Sequence, residues 1–473
     1  MSSPNRSRSR VVSFLRLFTD IRDGEETSAL LMLANVFLVL CAYYFVKPLR
    51  EGWIAVSDIE GLSKVEVKAY SSFFQALILI PVVSFYGRLS EYWTRSDLIT
   101  RATVFFMGNI VIFWALQPGF FLDNLPFMGI VFYLWVGMFG VFIVAQFWAF
   151  AADIYSDGVG RRILPLIAIG ATAGGAFGAS IAGWLVESGI VPTDMLLLVS
   201  LVPLGLSIAF TRWVDARETV ASRSEAPADP GPKSAEPADA GESEGHQGGL
   251  SLVLASRFLL AVAVVTLLVN WVNTNGENLL YWVLQDVLAD KAHSLGVADG
   301  GAMLTFIRQE TTTFYASFFG MVNWVALILQ AFVASRLLRY GGFGALLLLM
   351  PVVALVSYSA MAVLGSLMVV KTMKVAENAT DYSINNTARN VLWLPVASAV
   401  VYKAKPTIDT VGARMGDGLA ALTVLVGVNF LALPVANFYA LNIGLVLVWI
   451  ALSFVVISRH RVLSQEAEAN APG

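Results

Sequence analysis

The sequence contains very few of the residues that form disulfides, bind metals or act as nucleophiles. It has one cysteine, Cys41, which excludes an internal disulfide and a cluster of thiolate metal ligands. Its three histidines, His246, His293 and His460, fall outside the predicted membrane spans, which argues against a membrane metalloenzyme. No glycine-rich loop is followed by Gly-Lys-Ser or Gly-Lys-Thr, so no ATP-hydrolysing site is predicted. We expect no enzymatic activity, no metal and no other cofactor.

Charged residues are scarce as well. They make up 14% of the 473 residues, against about 25% in an ordinary soluble domain. Hydrophobic residues reach 57%, and the mean hydropathy is +0.69. This composition predicts a polytopic protein that is embedded in a lipid bilayer, with no nucleic-acid partner. The N-terminus is polar and arginine-rich until about Ser28, which is unlike a cleavable signal peptide.

Apolar runs that are long enough to cross a bilayer, about 17–25 residues each, recur along the chain. Twelve are predicted, near residues 28–48, 67–90, 98–118, 126–153, 163–187, 194–214, 252–284, 312–338, 342–365, 366–400, 409–433 and 436–458. Residues 215–250 are rich in Ala, Pro, Glu, Ser and Gly, which predicts a disordered linker. The predicted fold is therefore an all-α integral membrane protein with twelve transmembrane helices. Its parts are an N-terminal segment 1–27, a six-helix half 28–214, the linker, a second half 251–458 and a tail 459–473.

The distribution of basic residues predicts the orientation, because cytoplasmic loops of membrane proteins carry an excess of Lys and Arg. The basic residues of alternate loops fall on the same side as the arginine-rich N-terminus: Arg88, Arg95, Arg101, Arg161, Arg162, Arg336, Arg339, Lys403, Lys405, Arg414, Arg459 and Arg461. Both termini and the linker are predicted to be cytoplasmic. On the outer side, residues 285–311 carry several charges, and the pattern leaves open whether they form a lid or a loop.

The two halves of the chain resemble each other. Residues 87–92 (GRLSEY) follow the second run, and residues 335–340 (SRLLRY) follow the eighth. VGR follows the fourth run and VGAR follows the tenth. These equivalent positions predict a parallel repeat of two six-helix halves, as in the major facilitator architecture. GRLSEYWTRSDL also resembles the loop motif that major facilitators place between their second and third helices.

One polar segment, KTMKVAENATDYSINNTAR at residues 371–389, interrupts this apolar chain. On an α-helix its polar side chains fall on a stripe about 120° wide: Lys374, Glu377, Asp381, Asn385 and Arg389. Each charge would cost about 2.5–3.5 kcal/mol in lipid, so the stripe is predicted to face a watery cavity or a partner helix. The alternative is a loop outside the membrane, where charges are not penalised.

Other polar residues concentrate in the first, fourth, seventh and tenth runs, which line the central cavity in the major facilitator architecture. Lys47, Arg50, Lys374, Arg389 and Lys405 are candidates for binding an anionic ligand such as a phosphate. For Lys47 and Arg50 the alternative is snorkelling at the membrane interface. Three acids are candidates for pairing with the cations or for carrying protons: Glu277, Glu377 and Asp381. Four amides are candidates for additional hydrogen bonds: Asn270, Asn273, Asn378 and Asn385.

A stripe of small residues marks the fifth run, GATAGGAFGASIAGW. Gly170, Gly174 and Gly178 are four residues apart and therefore lie on one helix face. Small residues at this spacing let two membrane helices approach closely. We interpret the stripe as structural.

Several segments resemble the bacterial and plastid ATP/ADP translocase family, whose members exchange nucleotides and are distant relatives of major facilitators. The resemblance rests on VKPLREG, FWAFAADIYSDGVGRRILPLIAIGA, FYASFFGMVNWVALILQAFVASRLLRYGG, AENATDYSINNTARN and YKAKPTIDTVGARMGDG. It implies that Arg50, Glu277 and Lys405 correspond to the family's helix 1 cation, helix 7 acid and helix 11 lysine. The family's helix 4 acid has no counterpart, since Val136 or Gly137 stands at that place.

Together these features predict a secondary transporter that works by alternating access. The resemblance implies a nucleotide or related phosphorylated anion as substrate, exchanged across a bacterial inner membrane by a monomeric protein. One alternative is a proton-coupled major facilitator for a non-nucleotide solute or drug, with Asp381 as the titrating acid. Another is a membrane scaffold that recruits partners through residues 215–250. A membrane-embedded enzyme is disfavoured because the runs contain no catalytic constellation.

Overall fold

The computed structural model of the protein describes residues 25–89, 92–116, 125, 127–155, 157–225 and 249–469. Every regular element in these ranges is a helix. The predicted segment 1–27 is described only from Glu25, and residues 226–248 of the predicted linker lie outside the described residues.

The first half of the chain forms six long helices. They are α1 (Glu26–Ala55), α2 (Lys64–Leu89), α3 (Arg95–Leu116), α4 (Met128–Ile154), α5 (Asp157–Glu187) and α6 (Leu196–Glu225). A 3₁₀ turn, Thr193–Met195, precedes α6. Because α6 continues to Glu225, the first residues of the predicted linker are helical.

The second half begins with a short helix, Gly249–Ala255, followed by α7 (Arg257–Ser294), α8 (Gly301–Ile328) and α9 (Ser335–Leu364). A π turn, Leu329–Ala334, joins α8 to α9. Two further helices contain π turns, in which an extra residue per turn shifts the faces of the helix. Helix α10 consists of Leu367–Thr380, the π turn Asp381–Asn385 and Asn386–Leu392. Helix α11 consists of Ser398–Thr407, the π turn Ile408–Gly412, Ala413–Leu425 and the π turn Val426–Phe430. Helix α12 is Val435–Ala469.

Ten helical stretches of the described chain are long and apolar enough to cross a membrane. This result confirms an all-α, multi-pass membrane protein. One stretch, Gly301–Leu364, has 64 residues and contains α8 and α9, with a non-helical residue at Gly342 (φ 68°, ψ −173°). Helix α10 is not among the ten, as expected for a segment that carries a charged stripe. The count of twelve membrane spans stays a prediction.

Segment 285–311, which was predicted to lie on the outer side, is neither a lid nor a long loop. Helix α7 continues to Ser294 and α8 begins at Gly301, so only a short turn separates them. Gly296 and Gly300 have positive φ values of 66° and 87°, which glycine adopts without strain. The apolar pattern assigned the charged residues of this segment to a connection between two helices. In the structure most of them lie in the polar ends of α7 and α8, beyond the apolar parts of these helices.

The glycine stripe of α5 packs against the backbone of α1, which confirms its structural interpretation. A Cβ atom on Gly174 would lie 2.3 Å from the Phe37 carbonyl oxygen, and one on Gly178 would lie 2.6 Å from the Cys41 carbonyl oxygen. A Cβ on Gly170 would meet the Leu33 side chain at 2.8 Å. The first and fifth helices can approach this closely only because the stripe has no side chains.

We therefore expect Gly174→Val to destabilise the protein, because α1 must move away from α5. Overpacking of this kind costs about 1–3 kcal/mol, which lowers the melting temperature in detergent by several degrees. Gly205→Val on α6 is the matched control, since nothing lies within 4 Å of its Cβ position. Equal melting temperatures for the two variants would contradict the close α1–α5 contact.

The two halves contact each other from the middle of the bundle to one of its ends. We call the end where α1 begins the terminal end and the other the far end. At the far end, Val65 and Ala69 of α2 pack against Val424 of α11, and Asn429 donates a hydrogen bond to Glu66. At the terminal end, the described part of α4 has no extensive packing against α10 or α11. The halves are thus packed closely at the far end and less closely at the terminal end.

Candidate functional site

A polar cavity of about 230 Å³ lies between the two halves, midway along the helices. The first half contributes residues of α1, α2 and α4, and the second half contributes residues of α7, α8, α10 and α11. The lining residues are Tyr43, Lys47, Arg50, Glu51, Lys68, Ser72, Gln75, Tyr133, Asn273, Thr274, Glu277, Asn278, Phe319, Tyr382, Arg414 and Asp417. Seven of these sixteen side chains are ionisable as Lys, Arg, Asp or Glu, which is unusual for the interior of a membrane protein.

On the first-half face, a buried acid bridges two cations. Glu51, which is 1% exposed, lies 2.9 Å from the Lys68 ammonium through Oε2 and accepts a 3.0 Å hydrogen bond from Arg50 Nε through Oε1. The Arg50 guanidinium also stacks over the Tyr133 ring at 4.5 Å. Lys68 further donates to the Tyr315 hydroxyl at 3.2 Å, across the boundary between the halves. One acid thus neutralises one of two cations, and one positive charge remains.

Lys47 has a different environment, formed by aromatic rings rather than by an acid. Its ammonium lies 4.1 Å from the ring centroid of Phe319, 5.1 Å from that of Tyr44 and 5.8 Å from that of Tyr43. Among the described residues, no carboxylate lies within 4 Å of it. Cation–π contacts hold the ammonium without a direct ion pair. Lys47 is buried, so it does not snorkel to an interface.

The second-half face carries acids that are held by neutral donors and by one buried lysine. Glu277 accepts a 2.7 Å hydrogen bond from Asn378 and lies 3.8 Å from the Lys374 ammonium. Directly behind it, Lys374 pairs with Glu377 at 2.9 Å, and both side chains are 0% exposed. Arg414 and Asp417 form a separate pair at 3.1 Å.

The cavity is therefore electrically polarised. Its first-half face has three cations against one acid, a formal excess of two positive charges. Its second-half face has two acids, Glu277 and Asp417, against Arg414, a formal excess of one negative charge; the Lys374–Glu377 pair behind it cancels. The lining residues together have a formal excess of one positive charge.

The structure brings together six of the ten residues that the sequence predicted as a binding site. Lys47, Arg50 and Glu277 line the cavity, and Lys374, Glu377 and Asn378 lie directly behind Glu277. Of the two further amides, Asn273 lines the cavity, whereas Asn270 hydrogen-bonds its own helix at the Thr266 carbonyl.

The other four predicted residues lie outside the cavity. Asp381 accepts a 2.6 Å hydrogen bond from Asn385 within the π turn of α10. Arg389 is exposed and pairs with Asp409 of α11 at 2.6 Å. Lys405 lies in the first α-helical part of α11 and is not a lining residue. The predicted single stripe breaks at the π turn, because the ideal helical period that relates Lys374 to Arg389 does not hold across it.

Sequence reasoning missed four charged residues that line the cavity: Glu51, Lys68, Arg414 and Asp417. Arg414 was used as a marker of the cytoplasmic side, but the structure places it in the central cavity. Its spacing from Asp417, three residues within an apolar run, is the pattern of a helical ion pair and could have indicated this. Glu51 and Lys68 stand at the ends of predicted spans, where interfacial charges are ordinary.

Comparisons with known proteins bear on the fold. No family model matches the sequence, and no curated protein matches it. Among solved structures, a POT family transporter in complex with 5-aminolevulinic acid matches with a TM-score of 0.56 and 10% identity, over 91% of this chain and 96% of that chain. The human organic anion transporter MFSD10 (TETRAN) matches with a TM-score of 0.55 and 13% identity, over 91% and 100%. The nucleoside transporter NupG matches with a TM-score of 0.56 and 14% identity, over 91% and 99%.

All three are major facilitator-type transporters. At identities of 10–14% the likeness establishes the fold, and this chain has a major facilitator-type fold. Membership of the ATP/ADP translocase family, which rests on the sequence segments, stays a prediction.

Proposed function

We propose that this protein is a secondary transporter that exchanges phosphate-bearing organic anions, of which nucleotides are the preferred candidates, by alternating access. The observation that carries this proposal is the Lys47 ammonium, which has no direct ion pair among the described residues, beside Arg50 and Lys68 in a cavity between two helical halves. An anion is the ligand that such a face binds best. Closer packing of the halves at the far end than at the terminal end fits one state of a cycle in which they rock about a central site.

The cationic face suits a phosphate group in particular. Arg50 presents a planar fork that can bind two phosphate oxygens, and the ammonium groups of Lys47 and Lys68 are compact point charges. Glu51 contacts both Arg50 and Lys68, and a substrate phosphate would compete with it. The aromatic lining, Tyr43, Tyr133, Phe319 and Tyr382, offers ring faces for a planar base.

The same charge favours exchange over one-way transport. Moving an unpaired ion into a low-dielectric closed state costs several kcal/mol. An empty carrier that keeps the Lys47 charge therefore changes conformation slowly, whereas a carrier loaded with an anion changes conformation readily. Net movement then needs substrate on both sides. By the family resemblance, we place this exchange in a bacterial inner membrane and expect a monomeric protein.

The size of the cavity constrains the proposal. Its volume of about 230 Å³ is below the range of about 300–1,000 Å³ that is usual for ligand pockets. A nucleotide would therefore bind with its phosphates between the charged faces and its base in the space toward the terminal end, where the halves pack less closely. Cavity closure around it would follow binding.

A second candidate is a proton-coupled transporter of a non-nucleotide, zwitterionic solute. The polarised cavity favours it, because a positive face opposite a negative face is complementary to a solute with both charges. Asp381, the titrating acid that the sequence analysis considered, lies outside the cavity lining, so Glu277 or Asp417 would have to take that role.

Thermal stabilisation of the purified protein separates these candidates. A ligand that binds only the folded state raises the melting temperature according to its concentration and affinity. We expect ATP, ADP or another phosphorylated metabolite to raise it, and Lys47→Met to remove the shift while the protein stays folded. Lys64→Met is the matched control, because Lys64 lies at the far end and pairs with Asp58 at 3.5 Å. A shift with amino acids or peptides, and none with phosphorylated compounds, would favour the second candidate and contradict the first.

A further inference from the structure

The ammonium of Lys374 lies in a shell of oxygen atoms on the second-half side of the cavity. Its Nζ is 2.9 Å from Glu377 Oε2, 3.0 Å from Asn273 Oδ1, 3.4 Å from the Asn273 carbonyl oxygen and 3.8 Å from Glu277 Oε1. Two of these oxygens belong to carboxylates, one to a side-chain amide and one to the backbone. This is the donor set by which proteins bind hard cations.

The shell is held in place by groups other than the lysine. The Tyr358 hydroxyl lies 3.1 and 3.0 Å from the two Glu377 carboxylate oxygens, and Asn378 donates to Glu277 at 2.7 Å. Among the described residues, Lys374 is the only cation paired with either acid. Removing the ammonium would leave an oriented set of oxygens that includes two carboxylates without a cation.

A glycine on α7 makes room for this arrangement. A Cβ atom on Gly276 would lie 2.1 Å from the Tyr358 hydroxyl and 2.8 Å from Lys374 Nζ. Only glycine at this position lets the lysine and the tyrosine reach the Glu277 helix. The glycine thus leaves the space that the Lys374 ammonium and the Tyr358 hydroxyl occupy.

We propose that Lys374 is a tethered cation that permanently occupies a monovalent-cation site of the transporter. This inference rests on the proposed function and adds to it the mode of coupling. Because the site carries its own cation, the buried Glu377 carboxylate keeps a counter-ion in every state, and transport needs neither a Na⁺ gradient nor a proton gradient. A carrier without this ammonium binds a free cation of Na⁺ size between Glu277 and Glu377.

The test measures cation binding without any transported solute, so that it is independent of whether the substrate is a nucleotide. Four proteins are purified in NaCl or in choline chloride at equal ionic strength, and their melting temperatures are compared. They are the wild type, Lys374→Met, Lys374→Ala and the double variant Lys374→Met/Glu377→Gln. We expect the wild type to melt at the same temperature in both salts. At least one single variant should melt about 2–5 °C higher in NaCl, with a shift that saturates as NaCl rises. The double variant, which lacks the second carboxylate charge, should lose this shift.

Each possible result either supports or contradicts the tethered-cation proposal. Folding of a single variant in NaCl but not in choline chloride supports the proposal, as does the saturable shift. Equal melting temperatures of the folded single variants in both salts contradict the proposal. Failure of both single variants to fold even in high NaCl also contradicts it, because Na⁺ should replace the missing ammonium under that condition. A wild type that is itself stabilised specifically by Na⁺ also contradicts it. None of these results depends on the anion site at Lys47.

Discussion

Glu51→Gln is expected to produce the largest loss of stability of any conservative substitution in the cavity. Glu51 is 1% exposed and is the acid within 4 Å of both Arg50 and Lys68. Glutamine keeps the size of the side chain but removes its charge, so two buried cations lose their counter-ion. Breaking a buried ion pair from one side costs about 3–5 kcal/mol. The melting temperature of the unliganded protein should fall accordingly.

The same substitution should strengthen anion binding. In the wild type, a substrate phosphate must displace Glu51 from Arg50 and Lys68, whereas in Glu51→Gln these cations are free of a competing charge. We therefore expect a larger ligand-induced rise in melting temperature for the variant than for the wild type. A titration with inorganic phosphate and with ATP measures both effects in one experiment.

The matched control is Glu310→Gln, which removes the acid of the exposed Lys291–Glu310 pair at 2.9 Å. Exposed pairs contribute about 0–1 kcal/mol, so this variant should be nearly neutral. If Glu51→Gln is as stable as the control, Glu51 is not the buried counter-ion of the site. If it is unstable but no longer stabilised by anions, Glu51 does not compete with the substrate.

Gly52→Val is expected to open the far end of the protein. Gly52 of α1 packs directly on α8: a Cβ there would lie 2.1 Å from Thr312 Oγ1 and 2.7 Å from the Arg308 carbonyl oxygen. A valine cannot fit while the halves are closed at this end. The clash acts on this conformation alone, at an overpacking cost of about 1–3 kcal/mol, so it shifts the population toward states in which the halves have separated there.

Cysteine labelling detects this shift. The only cysteine, Cys41, is buried and is replaced by serine, and Val65→Cys is introduced in the far-end contact between α2 and α11. Labelling of this cysteine by a water-soluble maleimide should be slow in the parent and about tenfold faster or more with Gly52→Val, since 1.4 kcal/mol is a factor of ten. Gly108→Val on α3, where nothing lies within 4 Å of the Cβ position, should leave the rate unchanged. Unchanged labelling with Gly52→Val means that α1–α8 contact does not hold the far end closed.

The sequence predicted most of the helical architecture because apolar runs and their polar interruptions reflect the cost of charge in lipid. The spacing of Gly170, Gly174 and Gly178 predicted a close helix–helix contact, since a period of four residues on one face has a direct steric meaning, but it did not identify α1 as the partner. It missed the extent of α7 and α8, because charges such as Asp286 and Arg308 mark the end of an apolar run but not the end of a helix.

Part of the candidate site was predictable for the same reason. Lys47, Arg50, Glu277 and Lys374 interrupt apolar sequence in the helices that line the cavity of the major facilitator architecture, and for Arg50 and Glu277 the family resemblance agreed. The helical wheel failed beyond residue 380, because the π turn Asp381–Asn385 depends on packing between α10 and its neighbours and leaves no clear sequence pattern. Glu51 and Lys68 were missed because only the tertiary packing of α1 and α2 against their neighbours brings them into the cavity.

Obligatory exchange of a phosphate-bearing anion is the central claim, and uptake into liposomes tests it most directly. Purified protein is reconstituted, and uptake of labelled ATP or ADP is measured into vesicles with and without unlabelled nucleotide inside. The account predicts rapid uptake only into nucleotide-loaded vesicles, insensitivity to a protonophore, and loss of uptake with Lys47→Met. Uptake that is independent of internal nucleotide, or that collapses with the protonophore, would contradict it.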